Sequence, residues 1–438
     1  MTRAHPRFAI LLALLVFPSG CGTVSPLGAL PTDDDDDSSS PGGQCDESLG
    51  WLSTEEGSFI QQGQLPVSAT RPDCSEVVHA TAGAIGSTLR VTLSDWASTG
   101  EARLEVFDLE SNMVASASGL GTGDGVDFSL DRSGEWLIRL RPEDLQQSAN
   151  EYSLDVTCEA GCEGRFTRYP VVFVHGMAGT DAYLGGYPYW YDVMPGLTDD
   201  GYLAFMPAVD ALAPPETRAQ QWSVILDGLQ ADGMGRRFNL LGHSQGGVDA
   251  RYLATTMGEG GRIATITTLA TPHYGSGLAD VANGVIEVSP TISALIEEGV
   301  SALTTAIGLG EAQLLDATSS ITRPAMEAFN EVTPDHPDVA YFSWTARTCG
   351  LVEFICQNSM SGEVVAPYLI ATYRALQLLD GDNDGIVPTA SGIWGEHLGT
   401  IGADHFDEVG QLAGQTDGNY DHRGFFLNEC FRLSQAGF

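Results

Sequence analysis

The sequence contains no lysine: all 20 basic residues among its 438 are arginine, set against 58 acids, for a formal net charge of -38. A chain without lysine cannot form a Schiff base with pyridoxal phosphate, place a Walker lysine on phosphates or act as an ordinary protein kinase. The excess of acid also argues against nucleic acid as a partner, because that binding depends on neutralising phosphates with Lys and Arg. Long apolar runs are scarce as well. The stretch Phe8 to Phe17 is ten residues long, too short to cross a bilayer as a helix. What remains is chemistry built from Ser, His, Cys, Asp and Glu. With 43% hydrophobic and 18% charged residues the chain is globular, and its length suits two to three domains.

Arg3 and Arg7, the apolar stretch and Pro18-Ser19-Gly20-Cys21 read together as an export signal. The Cys directly after Ser-Gly resembles a bacterial lipoprotein signal. That resemblance implies cleavage after residue 20, lipidation of Cys21 and a cell-envelope location, with ordinary secretion as the alternative. Residues 21–43 contain Gly, Ser, Pro and the acids Asp33 to Asp37, a self-repelling stretch expected to act as an extended tether. Export permits disulfides. Cys45, Cys74, Cys158 and Cys162 allow two bridges, Cys349 with Cys356 allows a third, and Cys430 is left single.

Residues 44–164 carry alternating runs such as Thr88 to Leu93, Ala102 to Phe107, Glu135 to Leu140 and Glu151 to Val156, separated by Gly-rich turns. Period-two alternation at this spacing predicts a small all-β sandwich. The order of its last runs resembles the pre-peptidase C-terminal sandwiches of secreted hydrolases, and implies a spacer or surface-binding role. From residue 165 to 438 the pattern changes. Val171 to Val174, Phe238 to Leu241, Ile263 to Leu269 and Val339 to Trp344 are apolar runs with helical stretches between them, as a buried, mostly parallel sheet of an α/β fold requires.

Gly242-His243-Ser244-Gln245-Gly246 follows one of these runs and precedes a helix-forming segment. In that context G-x-S-x-G is a nucleophile elbow, with Ser244 the candidate nucleophile. The oxyanion-hole amides are assigned to Met177, in the loop after Val171 to Val174, and to Gln245, the residue after the nucleophile. His175 in that same loop is read as an anchoring residue. Chain order in such a fold is Ser, acid, His. The acid is expected at a strand end, after the apolar run Leu376 to Leu379, and Asp384 is the candidate. Asp380-Gly381-Asp382-Asn383-Asp384-Gly385 also looks like the start of an EF-hand, but Ser391 stands where that loop needs Glu. His397, His405 and His422 are left open as the base.

Five segments then carry a specific resemblance: Tyr169 to Asp181, Gly242 to Gly247 with Arg251-Tyr252, Thr271 to Ser276, Asn383 to Val387 and Asp404 to Leu412. They resemble the true triacylglycerol lipases of the Pseudomonas and Burkholderia type, which have an α/β-hydrolase fold. The resemblance implies Asp384 and His405 as the remaining triad members. It implies a structural calcium ion held by Asp407 and by backbone carbonyls at Gln411 and Gln415. No Asp occupies the family's upstream ligand position, where Glu363 stands as a substitute. It further implies a lid in the apolar segment between Gly275 and Asp316, and raises a dedicated folding chaperone as a partner. His273 is expected to pack near the site without a catalytic role. The expected activity is carboxylic ester hydrolysis, with triacylglycerol as substrate and no organic cofactor. Phospholipid, a polyester or acyl transfer are alternatives on the same fold, and a surface-binding lipoprotein with a vestigial hydrolase half is the alternative from another class.

Overall fold

The computed structural model describes residues 47–49, 58–64, 77–96, 100–143, 151–179, 188–308, 310–349, 364–411 and 420–438. The signal, Cys21, the tether, Cys45, Cys74, Cys356, Glu363 and Gln415 lie outside these residues.

The first strands are β1 (Glu47–Leu49), β2 (Ser58–Gln64), β3 (Val77–Gly83), β4 (Thr88–Trp96), β5 (Ala102–Phe107), β6 (Met113–Leu120), β7 (Gly125–Ser129), β8 (Gly134–Pro142) and β9 (Glu151–Ala160). They form two sheets, ordered β1-β3-β8-β5-β6 and β2-β9-β4-β7. Alternation does the work: on β4, Leu89, Val91 and Leu93 are buried while Arg90, Thr92 and Ser94 are not. These residues meet Leu104, Val106, Trp136, Ile138 and Leu154 to form the core between the sheets. Cys158 and Cys162 are disulfide-bonded to each other. Cys349 is also disulfide-bonded, and Cys430 is a buried free thiol.

The second part is a six-stranded sheet of β10 (Val171–Val174), β11 (Ala204–Phe205), β12 (Phe238–His243), β13 (Ile263–Leu269), β14 (Ala340–Arg347) and β15 (Glu396–Gly402), ordered β11-β10-β12-β13-β14-β15. Every pairing is parallel. The residues of β10, β12 and β13 are buried throughout because helices cover both faces. Trp222 and Leu226 of the helix Pro215–Ala231 pack on one face, and Phe426 and Leu433 of the helix His422–Gln435 on the other. The run Leu376 to Leu379 belongs to the helix Ile370–Leu379, so Asp384 does not end a strand. Ala371, Thr372, Tyr373, Ala375 and Leu376 of that helix are buried at helical spacing, a pattern that a short apolar run cannot distinguish from a strand. The Asp384 loop instead lies beside the end of β14, where the Thr348 amide donates to the Asn383 carbonyl at 3.0 Å.

The two parts meet at the N-terminal ends of the parallel strands. Glu135 of β8, 2% exposed, accepts from Arg168 Nε at 2.9 Å and from Arg236 Nε at 3.2 Å. Ser133 Oγ donates to the Gly201 carbonyl, and Phe166 packs with Ala82 and Ala84. Arg168, Gly201 and Arg236 lie two or three positions before the first residues of β10, β11 and β12.

Candidate active site

Ser244 sits between β12 and the helix Gln245–Arg251 with φ 56° and ψ -131°. Holding a non-glycine residue there costs on the order of 1–3 kcal/mol, so the surroundings must impose it. They do so by close approach. A Cβ on Gly242 would lie 2.7 Å from the Gly247 nitrogen, and one on Gly246 would meet the end of β10, which is why both flanking positions are glycine. The Ser244 amide donates to the Leu269 carbonyl at 3.0 Å, tying the turn to β13.

His405 lies just past β15, and its Nε2 is 3.0 Å from Ser244 Oγ. Its Nδ1 is 2.9 Å from Asp384 Oδ2. The other oxygen of Asp384 accepts from the Ile386 and Val387 amides at 2.8 and 2.6 Å. Asn383 Oδ1 accepts from the Gly385 amide at 2.8 Å, and Gly385 has φ +96°. The segment Asn-Asp-Gly-Ile-Val thus turns tightly to aim one carboxylate oxygen at the imidazole. His397 and His422, the two other candidates for the base, lie elsewhere: His397 faces Thr345 and His422 faces the Tyr191 carbonyl.

Met177 lines the cavity beside Ser244, Gln245 begins the helix that follows it, and neither backbone amide has a hydrogen-bond acceptor among the described residues. His175 anchors the first of them. Burial, with the Arg218 guanidinium beside it, holds its pKa at about 3 and keeps the ring neutral. Its Nε2 accepts from the Val209 amide at 3.0 Å, so the proton sits on Nδ1 and is donated to the Gly176 carbonyl at 2.8 Å. His273 is likewise buried and neutral, its pKa driven well down by burial and then by Arg251, and it contacts Thr268 and Arg251.

Three residues gave no local sign in the sequence. Tyr189 OH reaches His243 Nδ1 at 2.5 Å, and His243 Nε2 reaches Glu408 Oε2 at 2.8 Å. His243 is fully buried; burial first, and the neighbouring His405 second, hold its pKa well below the ordinary value. The neutral ring donates from Nε2 to Glu408 and accepts from Tyr189, behind His405, whose ring centroid is 4.6 Å away. Asp404 could have been found as an Asx turn: its carboxylate accepts from the Phe406 and Asp407 amides at 3.0 Å each, and from Ala366 at 2.8 Å. Asp380 and Asp382, the other acids of the apparent EF-hand start, pair with Arg323 and Arg347.

Asp407 is buried on the turn Asp407–Val409, and Gln411 is buried at its end, with its side chain donating to the Tyr189 carbonyl at 3.1 Å. An apolar cavity opens from Ser244 and His405. Met177, Leu303, Ile307, Leu314, Leu315 and Ile321 line it. Leu303 and Ile307 come from the helix Pro290–Ile307, and Leu314 and Leu315 from the helix Glu311–Thr318, so the apolar segment after Gly275 forms the cavity's roof. No single helix among the described residues is long and apolar enough to cross a membrane.

No family model matches the chain. A triacylglycerol lipase of Vibrio cholerae is 29% identical over 296 residues, covering 62% of this chain and 89% of the relative. A triacylglycerol lipase of Pseudomonas fragi is 28% identical over 303 residues, covering 62% and 98%. Among solved structures, a mature Bacillus licheniformis lipase aligns with a TM-score of 0.45 at 22% identity, over 61% of this chain and 92% of that one. On its sequence relatives and its parallel sheet with a serine elbow, the chain is a serine carboxylic ester hydrolase of the α/β-hydrolase fold, related to the bacterial triacylglycerol lipases.

Proposed function

We propose that the protein is a lipase that hydrolyses long-chain acyl esters, with triacylglycerol as the substrate class. The observation that carries this reading is a hydrogen-bonded Ser244–His405–Asp384 chain that opens onto an apolar cavity. Ser244 Oγ attacks the ester carbonyl carbon while His405 Nε2 takes its proton, and Asp384 orients and stabilises the imidazolium. The oxyanion accepts from the Met177 and Gln245 amides, a donor of this kind supplying about 3 kcal/mol of transition-state stabilisation. The imidazolium returns its proton to the departing alcohol. Water, deprotonated by His405, then cleaves the acyl-serine to the free acid.

Calcium belongs to the same proposal. Asp407 is buried on the turn just after His405, and a carboxylate there suits a hard divalent cation. Asp407 and the carbonyls of Gln411 and Gln415 would hold it, with Glu363. The ion would pin the His405 turn and take no part in the reaction.

The remaining parts of the proposal are residues 44–164 as an accessory domain and 165–438 as the catalytic one, attached to the cell envelope through lipidated Cys21. A folding chaperone is a proposed partner. The test is hydrolysis of short- and long-chain p-nitrophenyl esters. Ser244→Ala should lose about 10⁶-fold in turnover, and equal rates for the two proteins would overturn the reading. Palmitate labelling that survives Cys21→Ser would remove the anchor.

A further inference from the structure

The two amides proposed for the oxyanion hole belong to different segments, and one buried ion pair joins them. Arg218, on the helix Pro215–Ala231, is 0% exposed. Its Nη1 donates to the Gly176 carbonyl at 3.3 Å and to the Asp210 carbonyl at 3.0 Å, and its Nη2 donates to the His175 carbonyl. Its Nε donates to Asp249 Oδ2 at 2.6 Å. Asp249 lies on the helix that begins at Gln245, and it also accepts from Trp222 Nε1 at 3.4 Å.

The Gly176 carbonyl and the Met177 amide are the two ends of a single planar trans peptide, so they point in opposite directions. Whatever holds the carbonyl fixes where the N–H aims. Two donors hold it, Arg218 Nη1 and His175 Nδ1. Ala178, the next residue but one, has φ 61°, a left-handed conformation that a loop does not adopt without constraint. A Cβ at Gly176 would lie 2.7 Å from that of Ser244, so this peptide sits directly against the nucleophile.

We propose that Arg218 is a positioning residue for the oxyanion hole: it fixes the orientation of the Gly176–Met177 peptide, and through Asp249 it fixes the distance from that peptide to the Gln245 amide. The inference rests on the serine-esterase reading. It separates Arg218 from a purely structural buried cation, because the group it orients interacts with the oxyanion and with little in the ground state. Its loss therefore falls on kcat and leaves KM nearly unchanged.

The test uses the full chain with Arg218→Met, which keeps volume, Arg218→Lys, which keeps charge but lacks the fork, and Asp249→Asn, which removes the anchoring charge. Active sites are counted by titration with an alkyl phosphonate, so that misfolded protein is not read as slow enzyme. The expected result is kcat per titrated site lowered 10- to 100-fold, less than the loss of a whole oxyanion donor. KM should stay within about twofold, and affinity for an alkylboronic acid, which forms a tetrahedral adduct on Ser244, should fall in parallel with kcat. Arg218→Lys should not restore it, because an ammonium cannot span three carbonyls and a carboxylate. Normal kcat per site and normal boronate affinity in the variants that fold would overturn the inference, even with a lowered Tm. Activity retained in Ser244→Ala would instead overturn the reading on which it rests.

Discussion

A Cβ placed on Gly246 would lie 2.0 Å from the carbonyl oxygen of Val174. The helix that follows the nucleophile is thus seated directly on the backbone of the neighbouring strand, with no room for a methyl group. Backbone cannot yield as a side-chain tip does, so Gly246→Ala should destabilise the fold by at least the 1–3 kcal/mol of ordinary overpacking. Its esterase turnover should drop as Ser244 shifts. Gly261→Ala, where nothing lies within 4 Å, is the matched control and should stay within about 0.5 kcal/mol of wild type. Urea denaturation of both variants checks the contrast.

Acid should begin to weaken the fold just below pH 6.5. His175, His243 and His273 are buried and neutral, the first with a pKa of about 3 and the other two with values well below the ordinary one. Each gains a proton near pH 6.5 when the chain unfolds but not while it is folded. The stability they contribute is therefore complete above pH 6.5 and declines as pH falls below it toward the folded values. Three such groups give a slope of up to about 4 kcal/mol per pH unit. Asp249 offsets part of it, because burial raises its pKa to about 6 and the folded state gains a proton there below that pH. Urea midpoints at pH 7.5, 6.5 and 5.5 should be level between the first two and fall at the third. His273→Asn should flatten the decline.

Chelation should act on stability before chemistry. Removing a divalent ion from the Asp407 turn is expected to lower Tm by several degrees, with activity following as His405 loosens. Asp407→Ala should reproduce the effect and abolish any further response to chelator. A calorimetric scan with and without EDTA that shows identical transitions would count against the ion.

The roof of the cavity sets how much chain it admits. Leu315→Trp enlarges a side chain that lines the cavity and should exclude about two methylenes of acyl chain. At ~0.8 kcal/mol each, this is about 1.6 kcal/mol, or roughly 15-fold in kcat/KM on long acyl esters. Short esters should be hydrolysed almost as before. A uniform loss across chain lengths would mean that the acyl group binds elsewhere.

Much of the site was legible because its parts are local. An elbow needs glycines at fixed offsets, and a tight acid turn needs Asn-Asp-Gly, so both write themselves into a few consecutive residues. The choice of His405 over His397 and His422 was not local. It depends on β15 bringing residue 405 to the end of β12, and only the resemblance to a family could supply that. Arg218 with Asp249 and Tyr189 with His243 and Glu408 were invisible, because each joins positions 31 to 165 residues apart that share no pattern. Strands such as β4 and β7 were readable from alternation, since one face of each is buried. The helix Ile370–Leu379 was misread because, at four residues, an apolar run has no measurable period.

The Glu135 junction has a practical meaning for handling the protein. It clasps the sheet at the strand ends farthest from Ser244, and six residues of β12, about 20 Å of backbone, separate the two. A bead, tag or fusion partner attached to the sandwich would therefore leave the cavity mouth facing the bulk phase, and turnover should survive immobilisation through that side.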